Sequence, residues 1–272
     1  MSNLLCAVAC HSETNCDLYH FSKATNICTI FSQQPKFDPS TSSTSDSDWS
    51  IGYILQHWRS SGEWTLVFQA QERIGVSVWH TWSNTSLRHD HPISRDFPRA
   101  CMSQADYSQC NQHFRSSILD SWNDIKEVYL SFVKANVEVA YIVFDGTGSD
   151  ELSWFSQSRI LRSTWSPALD TDNNIRYFTL QGACDSSSCR RFHIHEDVTL
   201  CRYDYFYTIV VDGPRDICNQ GFSNWVIQDL STYPVFMYAP GPGPASYGVS
   251  RGSLGLDTAR QADVLSVWVK FH

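Results

Sequence analysis

The sequence predicts a mainly β fold: a small disulfide-knotted α+β module, then a larger antiparallel β-sandwich, jelly-roll or lectin-like, with one short helix. Three observations predict it. Ten Trp, twelve Tyr and fifteen Phe stand among 272 residues of which only 18% are charged, and aromatic side chains favour the half-buried surface of a pleated sheet. Short apolar runs, alternating or continuous, recur between turns rich in Gly, Pro, Asn and Asp. Four cysteines, Cys6, Cys10, Cys16 and Cys28, open the chain, at the density of a small domain held by disulfides.

Cys6 and Cys10 lie four apart and share one face of a helix, which the absence of Gly and Pro between Leu4 and Ala9 permits. Four cysteines allow three connectivities. Their spacing is too loose in its second half for the two tight ligand pairs of a zinc site. Residues 32–48 are rich in Ser, Thr, Asp and Pro and form a loop. Asp48 to Leu55 reads as a last strand, so the module spans 1–55 and the larger domain runs from 63 to 272.

Cys6, Cys10, Cys16, Phe21, Cys28 and Ile30 together resemble the PAN/apple module of secreted animal proteins. That resemblance implies nested bridges, Cys6 with Cys28 and Cys10 with Cys16. It also implies binding to proteins or carbohydrates without catalytic machinery.

In the larger domain, Trp64 to Gln71 and Val76 to Trp82 are β-branched and aromatic runs divided by a glycine turn, hence two strands. Glu127 to Phe144 reads as a hairpin around Lys134, Ala135 and Asn136. Ser149 to Trp165 has an acidic start, and Leu152, Phe155 and Ile160 suit the one short amphipathic helix. Further strands are predicted at Ile175 to Leu180, Arg191 to His195, Tyr205 to Val211 and Pro234 to Tyr238. The run ending at Phe271 is apolar on both faces and belongs in the middle of a sheet, with the first and last strands close together. The order of these segments is similar to that of uncharacterised secreted proteins of molluscs and other marine invertebrates, a likeness that carries no activity with it. Nearest neighbours in sequence pair the other cysteines as Cys101 with Cys110, Cys184 with Cys189 and Cys201 with Cys218.

Composition excludes several classes of function. A net charge of -8 with no clustered Lys and Arg excludes a nucleic-acid partner. No apolar run approaches the roughly 18 residues of a membrane span. The cysteines place the chain in an oxidising compartment, secreted and extracellular. No nucleophile elbow, phosphate loop or dinucleotide fingerprint is present, so the sequence predicts a protein that is not an enzyme.

Candidate ligand-binding residues fall into four groups. His193 and His195 present two imidazoles on one strand face, as metal ligands do, and His89 with His91 repeats the spacing. Asp170, Asp172 and Asn174 alternate side-chain oxygens as calcium loops do, with Asp145 to Glu151 a second oxygen-rich loop and calcium the one cofactor to expect. Tyr238 and Tyr247 bracket a stiff Gly/Pro loop and, with Trp154 and Trp165, offer aromatic platforms for a sugar ring or peptide, an idea that Trp79 and Trp82 also invite. Asn84, in Asn84-Thr85-Ser86, is a glycosylation acceptor. The expected function is extracellular recognition, lectin-like or protein-binding and calcium-assisted, with a glycan or extracellular protein as partner. The alternative is a structural or interaction component of a secreted matrix, fluid or assembly that associates with itself.

Overall fold

The computed structural model describes residues 18–22, 27–31, 49–52, 64–90, 97–102, 110–171, 175–184, 189–195, 205–214, 232–246 and 259–272. The chain divides into two compact units, Met1–Thr65 and Leu66–His272. In the first, β1 (Leu18–Ser22), β2 (Ile27–Phe31) and β3 (Trp49–Gly52) form an antiparallel sheet in the order β2-β1-β3. The predicted helix at Cys6 and Cys10, and the pairings of the four cysteines, lie outside the described residues.

Two antiparallel sheets build the second unit. One contains β4 (Thr65–Gln71), β5 (Phe114–Arg115), β6 (Ile125–Lys134), β7 (Val137–Asp145), β8 (Ile160–Ser163) and β16 (Val264–Phe271), in the order β5-β4-β16-β6-β7-β8. The other contains β9 (Tyr177–Thr179), β10 (Ala183–Cys184), β11 (Cys189–His195), β12 (Tyr205–Val211), β13 (Val235–Tyr238), β14 (Ala245–Ser246) and β15 (Arg260–Ala262), with the path β10-β11-β12-β13-β15 and with β9 and β14 pairing β11 and β12. The last strand is central and lies beside the first of this unit, as its two apolar faces require.

Alternation fixes what each strand buries. Val128, Leu130 and Phe132 of β6 and Leu265, Val267 and Val269 of β16 enter the common core. Across the sandwich, Phe144 meets Phe178 with ring centroids 6.2 Å apart, and Phe155 meets Phe192 at 5.8 Å. Each large apolar side chain removed from water contributes about 1.5–3 kcal/mol, so this aromatic seam holds the sheets together. At the β6–β7 turn Ala135 and Asn136 have φ of 48° and 65°, the left-handed pair that matches strand twist in a two-residue hairpin.

Two predicted elements are corrected. The segment predicted as a strand over Val76 to Trp82 is a helix, α1 (Val78–Ser83). Ser77 caps it, its hydroxyl accepting from the His80 N–H at 3.1 Å. The Asp212 carboxylate, from the end of β12, accepts from the N–H groups of Val78 at 2.8 Å and Trp79 at 2.9 Å and from the Ser77 hydroxyl at 2.7 Å. A carboxylate on the first amides satisfies donors that a helix start leaves open and favours helix over a sheet partner.

The helix predicted over Ser149 to Trp165 is instead a turn, a short 3-10 segment (Gln157–Arg159) and the edge strand β8. Asp150 bends the start by accepting from the N–H groups of Leu152 and Ser153 at 2.9 and 2.7 Å, which competes with helical bonding. The second described helix, α2 (Ala168–Thr171), is a single turn.

Two disulfides form as nearest neighbours predict. Cys101–Cys110 closes part of the long connection between β4 and β5, and Cys184–Cys189 joins the paired residues of β10 and β11. Among the described residues no helix is long and apolar enough to cross a membrane.

Candidate functional site

The connection from β4 to β5 carries α1 to the surface, where α1, the 3-10 turn Ser117–Asp120 and the turn at Glu151 and Leu152 enclose a depression of about 290 Å³. Trp79, Trp82, Ser83, Thr85, Arg115, Leu119, Asp120, Glu151 and Leu152 line it. Its volume lies at the lower end of the roughly 300–1,000 Å³ range of small-molecule sites, room for one ring-sized group.

Each wall is set by a different device. Trp79 is half-buried, and the Arg191 guanidinium carbon sits 5.0 Å from its ring centroid, a cation–π contact. Arg191 is itself 3.9 Å from Asp212. Asp212 therefore holds both the helix that bears Trp79 and the cation that packs on it. Burial outweighs Asp212 for Arg191 and lowers its pKa from the ordinary guanidinium value.

Behind this wall Arg115 is 2% exposed and satisfies most of its donors inside the protein. Its Nε donates to the Trp82 carbonyl at 2.8 Å, Nη1 to that of Leu87 at 3.0 Å and Nη2 to Asp120 Oδ1 at 2.6 Å. Arg88 Nε donates to the other Asp120 oxygen at 3.0 Å. Two guanidinium groups thus neutralise Asp120 and fix it. The Glu151 carboxylate has no hydrogen-bond partner among the described residues and remains a free acceptor at the rim.

Trp82 lies within the wall, 1% exposed, edge-on to Phe68 at 5.0 Å and to Phe192 at 5.8 Å. Its indole N–H is buried and has no acceptor among the described residues. A buried donor left unpaired costs about 1–3 kcal/mol, a cost carried inside the wall. A half-buried indole, one free carboxylate and two hydroxyls can grip a polyhydroxylated ring.

The residues singled out in the sequence occupy other places. His193 and His195 sit together on β11 with ring centroids 5.1 Å apart, 3% and 2% exposed, and Tyr177 stacks on His193 at 5.6 Å. Among the described residues no group of three His, Cys, Asp or Glu stands where it could hold a metal. Asp170 is exposed on α2 and accepts from the Ser166 hydroxyl at 2.9 Å. Asp172, Asn174, Tyr247 and His91 lie outside the described residues.

In the second oxygen-rich loop the carboxylates serve their own backbone. Asp145 accepts from the Thr147 N–H at 2.9 Å, and that bond, like those from Ser153 and Leu152 to Asp150, holds the carboxyl below its usual range. His89 Nδ1 accepts from the Arg115 N–H at 3.0 Å, its ring lies on Phe97 at 4.1 Å, and burial pushes its pKa down. Asp90 accepts from Ser116 and from the Ser117 N–H.

Trp154 and Trp165 are core residues, each 0% exposed, and are corrected as binding platforms. Trp154 Nε1 donates to the Glu151 carbonyl at 3.0 Å and Trp165 Nε1 to that of Ala239 at 3.0 Å. Tyr238, 5% exposed within β13, is likewise no surface platform. The Gly/Pro run that follows it returns to pair β14 with β12. Asn84 is half-buried at the end of α1. No family model matches the chain, and no curated protein or solved structure matches it.

Proposed function

We propose that this chain is a secreted, non-enzymatic recognition protein, lectin-like in action, with its site in the depression beside Trp79. The observation that carries the reading is the depression itself, whose lining brings together the half-buried indole of Trp79 and the free Glu151 carboxylate. A saccharide ring supplies what these groups lack: C–H faces for the indole and hydroxyl donors for Glu151. Two disulfides and the absence of a membrane-crossing helix among the described residues accord with secretion. The PAN/apple likeness of residues 1–55 belongs to the same proposal, as an accessory binding module.

The test is a glycan array probed with the full chain, with Glu151→Gln and with Trp79→Ala, each with and without chelator. A saccharide hit that weakens at least tenfold in both variants is expected. Loss of the hit with chelator adds calcium to the mechanism, and its survival leaves the aromatic site acting alone. Failure to bind any saccharide, or a hit indifferent to both substitutions, overturns the reading.

A further inference from the structure

The turn that follows α1 carries Asn84 on the rim of the depression. Ser83 and Thr85, its two neighbours, both line the cavity, so Asn84 stands between them at its edge. The turn is fixed: the Leu87 N–H donates to the Asn84 carbonyl at 3.0 Å, and Arg115 Nη1 holds the Leu87 carbonyl at 3.0 Å. Asn84 Oδ1 accepts from the Ser86 N–H at 3.0 Å. That bond orients the side-chain amide, and Nδ2 has no partner among the described residues. Thr85 and Ser86 are exposed, which leaves room for a substituent. Trp79 lies one helical turn before Ser83 on the same face.

We propose that Asn84 carries an N-linked glycan whose first N-acetylglucosamine lies over the depression and controls access to it, an inference that rests on the depression being the recognition site. The acceptor pattern Asn84-Thr85-Ser86 supplies the chemistry. Nδ2 bonds to the anomeric carbon of an oligosaccharide carried on a lipid pyrophosphate, the amide gives up one proton, and the lipid pyrophosphate departs. The short root, fixed by the turn, sets the first sugar beside the indole face of Trp79. The protein's own sugar then competes with an external one for the same groups.

The experiment compares the full chain secreted from glycosylation-competent cells with its Ser86→Ala and Ser86→Thr variants. Ser86 is not part of the cavity wall; Ser86→Ala removes the acceptor pattern and keeps Asn84, while Ser86→Thr retains both. Peptide mapping after N-glycosidase treatment reads occupancy, hydroxyl-radical footprinting reads access to Trp79, and affinity for the saccharide hit reads function. Occupied Asn84 in wild type and Ser86→Thr, at least twofold faster Trp79 oxidation in Ser86→Ala, and at least fivefold tighter binding by Ser86→Ala are expected. An unmodified Asn84, or equal Trp79 oxidation in all three proteins, overturns the proposal. Trp79 protected by an occupied Asn84, with no saccharide bound by any form, sinks the recognition reading and leaves the covering glycan in place.

Discussion

At the scale of single residues, two buried polar groups carry more than their share of this structure. Asp212 accepts three hydrogen bonds that start α1 and lies beside Arg191 under Trp79. Asp212→Ala leaves those donors without a partner and takes the facing carboxylate from a half-buried cation, and unfolding in urea should show a loss of about 3 kcal/mol. Saccharide affinity should fall as well, since the orientation of Trp79 depends on the same carboxylate. His113, 1% exposed, accepts from the Gln71 N–H at 3.2 Å through Nδ1, and its Nε2 lies 2.9 Å from the Val76 carbonyl. Burial lowers its pKa to about 4 from the ordinary 6.5. Between those values the unfolded chain takes up a proton and the folded one does not. Stability from this group is therefore full above about pH 6.5 and falls as the pH drops toward 4, by about 3 kcal/mol. Urea titrations at pH 7 and 4.5 measure it, and His113→Gln should lose most of that extra acid sensitivity.

Among the elements, the sequence is most legible where packing and propensity agree. Tyr205 to Val211 is read as a strand and is one, residue for residue, because β-branched and aromatic side chains lie buried within the sheet. The run Val76 to Trp82 has the same composition and becomes a helix. The deciding group, Asp212, lies more than 130 residues away, beyond the reach of any local pattern. The misread helix at Ser149 to Trp165 has the opposite cause: Asp150 ends it locally, and β7 recruits Ile160 to Ser163 as its edge partner. One turn gives a sharp prediction. Gly182, between β9 and β10, has φ of +81°, and a Cβ there would sit 1.6 Å from the Arg190 carbonyl oxygen. Gly182→Ala should cost about 3 kcal/mol or more, as strain and displaced backbone add together, visible as a lower midpoint in chemical unfolding.

For the whole molecule, the mainly β architecture, the central terminal strand and two of the disulfides were readable from residue types and spacing alone. The depression was not. Trp79, Asp120 and Glu151 come from three segments that only the folded chain brings together, and the flagged Trp154 and Trp165 proved to be core because bulk and aromaticity serve interiors first. The bridge Cys101–Cys110 spans a separation of 9 residues, so Cys101→Ala with Cys110→Ala should lower stability by about 2–3 kcal/mol. Thermal unfolding of that double variant against the oxidised parent measures it, with affinity at the depression expected unchanged. The position of β16 bears on how the chain is made. Its pairing partner β6 and its other neighbour β4 leave the ribosome long before Val264 does, and until Phe271 follows they have no strand between them. The nascent chain must carry two open sheet edges through that interval, the condition in which unpaired strands seek neighbours on other chains. Closure of the sandwich therefore waits for Val264 to Phe271 to emerge.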